Sequence, residues 1–331
     1  MNVSEGSFQR RVRRLARRGA RAPLAALLGH ARSQAVTAVC QEHEQAIVAL
    51  APRLEQGERA ARVELDRLAE HAFASMRSRV GHLAQRANWL VSCSATLDAW
   101  WCDAREPEYL DDPALDANKR VGIVSRLDGL NAMLGSYPLF FEYLVPLLGS
   151  DRHTRVLDLA AGHGGFALAA AALAERRGRT LELVATDIKR EYLELGARRA
   201  RSAGLDVHFM VQDALDLSNL QTGEYDVVTC TQSLHHFRPG QVAVMFAEAA
   251  RVARRGVLFI DGARSALHAV GVVGLGLLAY RDSAFAHDAL ISFRRFFVPE
   301  ELELLARLSP WGARASVRWI PPAHCLLATA S

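Results

Sequence analysis

Polar residues recur in the second half of this chain wherever an apolar run stops. Val156-Leu157-Asp158-Leu159 runs into Ala160-Ala161-Gly162-His163-Gly164-Gly165. Val184-Ala185-Thr186 ends at Asp187, Val211-Gln212 leads to Asp213, and a fourth run ends in Gln232-Ser233-Leu234-His235-His236-Phe237. A fifth ends at Asp261. Glycines open backbone amides to close approach, above all where a turn starts a helix. Carboxylates accept charge-assisted hydrogen bonds from hydroxyls and amines. An imidazole takes up a proton near neutral pH. Such a set suits holding a polar cofactor and moving a proton beside it.

These residues need elements to position them. Hydrophobic patterning predicts strands at 154–159, 181–186, 206–211, 225–231 and 256–261, with helices at 165–176, 189–203 and 240–253. A β-α-β-α order implies a parallel sheet with helices on both faces. Ligands of such sheets bind beyond the carboxyl ends of the strands, and the polar signals fall there, one per strand. After the fifth strand come an apolar helix (264–280), a loop, a helix opened by Pro299-Glu300-Glu301, and strands at about 314–319 and 323–329.

The stretch from Val156 to Gly165 resembles the first motif of class I S-adenosylmethionine-dependent methyltransferases, and the later signals match that family in order. The resemblance implies an α/β fold: a Rossmann-like, doubly wound, seven-stranded sheet with its last strand antiparallel. It implies S-adenosyl-L-methionine as cofactor and S-adenosyl-L-homocysteine as product. Asp158 would orient the turn and the methionine amino group, and Gly162 and Gly164 would admit the cofactor. Asp187 would accept both ribose hydroxyls, with Ile188 against the adenine ring. Asp213 would accept from the adenine amine beside the Ala214 amide, and Gln232 would line the methionine end. The family's usual first glycine is Ala160 here, and its Cβ is expected to keep φ negative.

The resemblance covers roughly residues 106–331. Leu110-Asp111-Asp112-Pro113, Leu127 to Asn131, Gly135, Asp261 to Ser265, His287-Asp288-Ala289 and Ser292-Phe293-Arg294 fit a group of bacterial small-molecule methyltransferases. In enzymes of this kind with a Leu-His-His pattern the first histidine often faces substrate. His235 is therefore expected as general base, Asp261 as its partner, and His287 with Asp288 as second candidates. No metal is expected. A competing nicotinamide reading rests on Gly162-x-Gly164-x-x-Ala167, which fits the dinucleotide fingerprint. Asp187 comes late for it, 25 residues after Gly162, and neither Asp213 nor the Leu-His-His segment has a role there.

The length suits one large and one smaller domain. Residues 1–105 read as a helical N-terminal domain with a basic tail, 1–22. Val36, Val39, Cys40, Ile47, Leu50 and Leu54 recur at helical spacing, as do Leu65, Leu68, Ala72 and Met76 after a break near Gly57. Residues 106–331 read as the catalytic domain, opened by an acidic connector (Glu106 to Pro113) and a helical cap over 118–149 that closes the chamber. Trp89, Trp100 and Trp101 suggest a packing face, and a homodimer through the helical domain is expected.

The tail holds seven arginines and one acid, while the other 309 residues carry 33 basic and 35 acidic side chains. That near-neutral remainder leaves no nucleic-acid footprint in the overall charge. Five scattered cysteines without a C-x-x-C pair argue against disulfide or zinc frameworks and suit a reducing cytoplasm. The longest apolar run, 266–280, is short of a membrane span. The expected function is methyl transfer to an O, N or C atom of a hydrophobic or aromatic small molecule, in bacterial natural product biosynthesis. The alternatives are a protein or RNA substrate docked by the basic N-terminus, and a non-catalytic S-adenosylmethionine-binding protein.

Overall fold

The computed structural model of the chain describes residues 23–102, 106, 108–111, 114–150, 153–277, 283–321 and 324–330. The basic tail, parts of the acidic connector (Asp112 and Pro113 among them) and the end of the expected apolar helix lie outside the described residues.

The helical spacing of the first third becomes α1 (Pro23–Glu42), α2 (Glu44–Glu55), α3 (Arg59–Ala87) and α4 (Trp89–Cys102). The expected break falls between α2 and α3, where Gly57 takes φ +70°. On α3 the buried residues Ala61, Leu65, Ala69, Ala72 and Met76 form one stripe. On α4 Trp89 and Trp100 stay exposed. Two helices precede the sheet, α5 (Ala117–Met133) and α6 (Ser136–Leu144).

The strands are β1 (His153–Leu159), β2 (Thr180–Asp187), β3 (Val207–Val211), β4 (Tyr225–Thr231), β5 (Ala253–Gly262), β6 (Ala315–Ile320) and β7 (His324–Ala330). Between them run α7 (Gly165–Arg176), α8 (Arg190–Ala203), α9 (Pro239–Val252), α10 (Ala266–Leu275), α11 (Ser283–Arg295) and α12 (Pro299–Arg307). The seven strands form one sheet in the order β3-β2-β1-β4-β5-β7-β6. Strands β1 to β5 pair in parallel, and β7 is antiparallel to both β5 and β6. The fold is thus the Rossmann-like doubly wound sheet, with β7 as its reversed last strand.

Alternate residues serve opposite faces, as pleating requires. Val156, Val227 and Leu258 pack with Phe140, Phe141 and Phe166 of α6 and α7. Their neighbours Leu157, Val228 and Phe259 pack with α9, α12 and the N-terminal helices. Every residue of β4 is buried, as expected for a strand covered on both faces. The N-terminal helices therefore share a core with the sheet. Gly240 marks how close they come: a Cβ there would meet the Asp66 carbonyl oxygen at 2.4 Å. Among the described residues no helix is long and apolar enough to cross a membrane.

Candidate functional site

The site begins where β1 ends. The Ala161 amide donates to the Thr186 carbonyl at 2.8 Å, and Ser233 Oγ donates to the Ala160 carbonyl at 2.8 Å. The Gly162 amide donates to Asp187 Oδ2 at 2.9 Å. These bonds tie the turn to β2 and to the segment after β4, and they force Ala160 to φ +47°. The expected negative φ is therefore corrected. The Cβ is tolerated at a cost of about 1–2 kcal/mol, the usual penalty of the left-handed region, offset by the bonds on either side. Gln232 is likewise at φ +57°, with its amide on the Ile260 carbonyl at 2.8 Å. Gly164 (φ +74°) caps α7, and a Cβ there would meet Phe209 at 2.7 Å.

A cavity of about 500 Å³ opens above these strand ends, a size typical of small-molecule sites. Ala160, Gly162, Asp187, Ile188, Asp213, Ala214 and Gln232 are on its wall. Asp158 and Gly164 are not. Asp187 accepts two backbone amides, Gly162 on Oδ2 and Lys189 on Oδ1, each at 2.9 Å. Burial pushes its carboxyl pKa up against those bonds. Asp213 Oδ1 accepts the Leu215 amide at 2.9 Å. Asp158 is buried, with Oδ1 accepting from Thr229 Oγ1 at 2.7 Å, and burial pushes its pKa up to about 7. Asp158 Oδ2 and Gln232 Nε2 are buried with no hydrogen-bond partner. An unpaired buried polar atom on a cavity-lining residue such as Gln232 calls for a polar ligand.

The cap contributes wall residues that sequence reasoning did not single out. Asp128 and Asn131 of α5 and Tyr137 of α6 face the cavity. Asp128 accepts from Tyr137 Oη at 2.6 Å and from Arg199 Nη1 at 2.9 Å, and His163 Nδ1 lies 3.2 Å from that guanidinium. The signal available was a lone carboxylate inside the apolar stripe Leu127, Leu130 and Leu134.

The expected pairing of His235 with Asp261 is present, but its place relative to the cavity differs. His235 is buried and off the cavity wall, and His236 is on it. The short 3-10 turn Leu234–His236 carries both histidines, with their rings 4.2 Å apart and tilted by 37°. Asp261 receives the His235 backbone amide at 2.8 Å and His235 Nδ1 at 2.9 Å. Burial opposes charge on that imidazole, but Asp261 and then Glu108 outweigh it and hold its pKa above the ordinary value. His287 is also off the wall, beside Asp288 at 3.3 Å and Tyr109. Asp288 accepts the Tyr109 and Leu110 amides at 2.7 and 3.3 Å, so this pair anchors the segment before α5.

Residues 156–256 match the family described as "Methyltransferase domain". The ubiquinone biosynthesis O-methyltransferase of Bordetella avium (strain 197N) is 28% identical over 184 residues, covering 54% of this chain and 71% of that protein. The protein of the same name from Xanthomonas axonopodis pv. citri (strain 306) is 28% identical over 167 residues, covering 50% of this chain and 65% of that one. A solved structure of a SAM-dependent methyltransferase from Aquifex aeolicus is 14% identical, with TM-score 0.41, over 57% of this chain and 88% of that one.

Proposed function

This chain is a class I S-adenosylmethionine-dependent methyltransferase, and we propose that its acceptor is a hydrophobic or aromatic small molecule. Among O, N and C acceptors, a hydroxyl oxygen has the most support. The observation that carries the reading is one cavity with two kinds of wall. Asp187, Asp213 and Gln232 give it polar surface, Leu110, Val124, Leu127 and Phe237 give it apolar surface, and His236 is also on the wall. The relatives are named for O-methylation in ubiquinone biosynthesis, a reaction of this chemical type. A place in bacterial secondary metabolism belongs to the same proposal.

Bound S-adenosylmethionine supplies a methyl group on a positively charged sulfur, already activated for in-line displacement. We assign its adenosine to Asp187, Ile188, Asp213 and Ala214, and its methionine end to Gln232, Asp158 and the Ala160–Gly164 turn. The unpartnered Asp158 Oδ2 and Gln232 Nε2 supply an acceptor for an ammonium and a donor for a carboxylate. The protein's own work is to exclude water and align the acceptor. The cap helices cover the chamber through Asp128 and Tyr137. The acceptor hydroxyl lies against the turn after β4, where His236, backed by His235 and Asp261, stabilises its deprotonated form.

The test is release of S-adenosylhomocysteine across a panel of hydroxylated aromatic compounds with apolar substituents. Turnover with members of the panel, retained when residues 1–22 are removed, is the expected result. A kcat/KM that collapses on that deletion in a salt-dependent way would favour a macromolecular substrate. Cofactor binding without turnover on any acceptor would favour a non-catalytic role.

A further inference from the structure

Glu108, His235 and His236 meet beside the cavity, with one ligand-type atom of each within 4.8 Å of the other two. We propose that these three side chains hold one divalent first-row transition ion, with open coordination positions toward the acceptor chamber. The ion site stands on its own geometry. Only what fills the open positions rests on the function proposed above.

Two imidazoles and one carboxylate form a mixed nitrogen–oxygen set that leaves positions for exogenous ligands. Two imidazoles at right angles on one ion, each bound at about 2.1 Å, place their ring centres about 4.5 Å apart. The rings of His235 and His236 are 4.2 Å apart. Neighbouring ligand atoms on one ion are about 3.0–3.5 Å apart, and Glu108 Oε2 is 3.7 Å from His236 Nδ1. A contraction of a few tenths of an ångström completes that pair.

The surroundings are arranged around the same point. Asp261 takes His235 Nδ1 at 2.9 Å and so leaves Nε2 as its ligand atom. A carboxylate behind a ligating histidine is the usual way to fix its tautomer and raise its basicity. Ser292 Oγ donates to Glu108 Oε1 at 2.9 Å, which orients Oε2 toward His236. The Glu108 and Asp261 side chains are 1% and 2% exposed. Arg295 stands 3.8 Å from Glu108. Glu108 and Asp261 bring two buried carboxylates to this cluster, which favours a cation there. Glu108 is 127 residues from His235, which is why spacing along the chain gave no hint of the set.

His236 also lines the cavity, so the open positions receive the acceptor oxygen. The O–H bond breaks, its proton leaves to solvent, and the oxygen binds the ion as its conjugate base. This Lewis-acid role selects acceptors with an ionisable hydroxyl.

The test is titration of Co²⁺ and Mn²⁺ into the full-length, chelator-treated protein, without cofactor or acceptor. It is read by visible absorption and by electron paramagnetic resonance. One ion per chain is expected, with affinity reduced at least tenfold in both Glu108→Gln and His236→Ala. Asp261→Asn, a positioning change, should weaken it by about 10–100-fold. Retained S-adenosylhomocysteine binding shows that a variant is folded, and the partly exposed His236 carries the test if Glu108→Gln is not. No stoichiometric ion, or binding indifferent to substitution at His236, overturns the proposal. Ion binding with no methyl transfer to any acceptor would instead overturn the function proposed above.

Discussion

At Asp158, burial and charge oppose each other most directly. Its side chain has one oxygen on Thr229, the other on nothing, and a pKa raised by burial to about 7. Below that pH the group is mainly neutral. A ligand ammonium favours the ionised form, so cofactor affinity should fall as pH drops below 7, approaching tenfold per unit. The slope should be measured between about pH 5.5 and 7, where an α-amino group stays charged. Calorimetry with S-adenosylhomocysteine should show this slope in the native protein and a flat profile in Asp158→Asn. The acids were legible in the sequence because each ends an apolar run, and sheet topology brings such ends to one edge. The backbone of Ala160 was not, because its conformation is set by Thr186 and Ser233, which are remote in sequence. Nor was the exchange of His235 for His236 on the wall, since the letters do not give the rotation of a single 3-10 turn.

Among elements, the cap was legible as two apolar helical patterns, and the strands fell within a few residues of their expected bounds. What the cap closes against was not legible. Asp128 joins α5 to Tyr137 of α6, to Arg199 of α8 and, through it, to His163 of the glycine turn. The fit is tight, since a Cβ on Gly165 would meet Asp128 Oδ1 at 2.3 Å. In Asp128→Ala the Tyr137 hydroxyl and the guanidinium lose that acceptor, a loss of about 1–3 kcal/mol in cap docking. Hydrogen exchange should then accelerate over residues 117–144 while the β1 and β4 amides keep their protection. Equal acceleration in both would mean that the cap is not a separate opening unit.

For the whole molecule, the N-terminal helices read from composition as a separate piece, yet α3 lies on α9 and both belong to one core. No one-dimensional pattern shows that, because α9 is apolar for two partners at once. Arg264, its side chain 3% exposed, locks the arrangement by pairing with Asp98 of α4 at 3.0 Å and Glu301 of α12 at 3.0 Å. Against burial, Arg264 holds both carboxyl pKa values below the ordinary range, with Arg32 assisting at Asp98 and Arg77 at Glu301. Their stabilising contribution is therefore present above the unfolded-state pKa and is lost as pH falls through the depressed values. Arg264→Met should cost about 3–5 kcal/mol, because it strands buried charge. It should also move acid unfolding to higher pH. Denaturant unfolding of the native protein should be a single transition by tryptophan fluorescence and by far-ultraviolet dichroism. Two separated transitions would show that the helices fold on their own.

The central claim is that the carboxyl-end acids form the cofactor site, and calorimetric titration of S-adenosylhomocysteine into native protein and Asp187→Ala tests it most directly. The predicted result is one site per chain, weakened in the variant by about 1–3 kcal/mol, the cost of stranding polar partners. An unchanged dissociation constant in a folded Asp187→Ala protein, or no binding by the native chain, would contradict it.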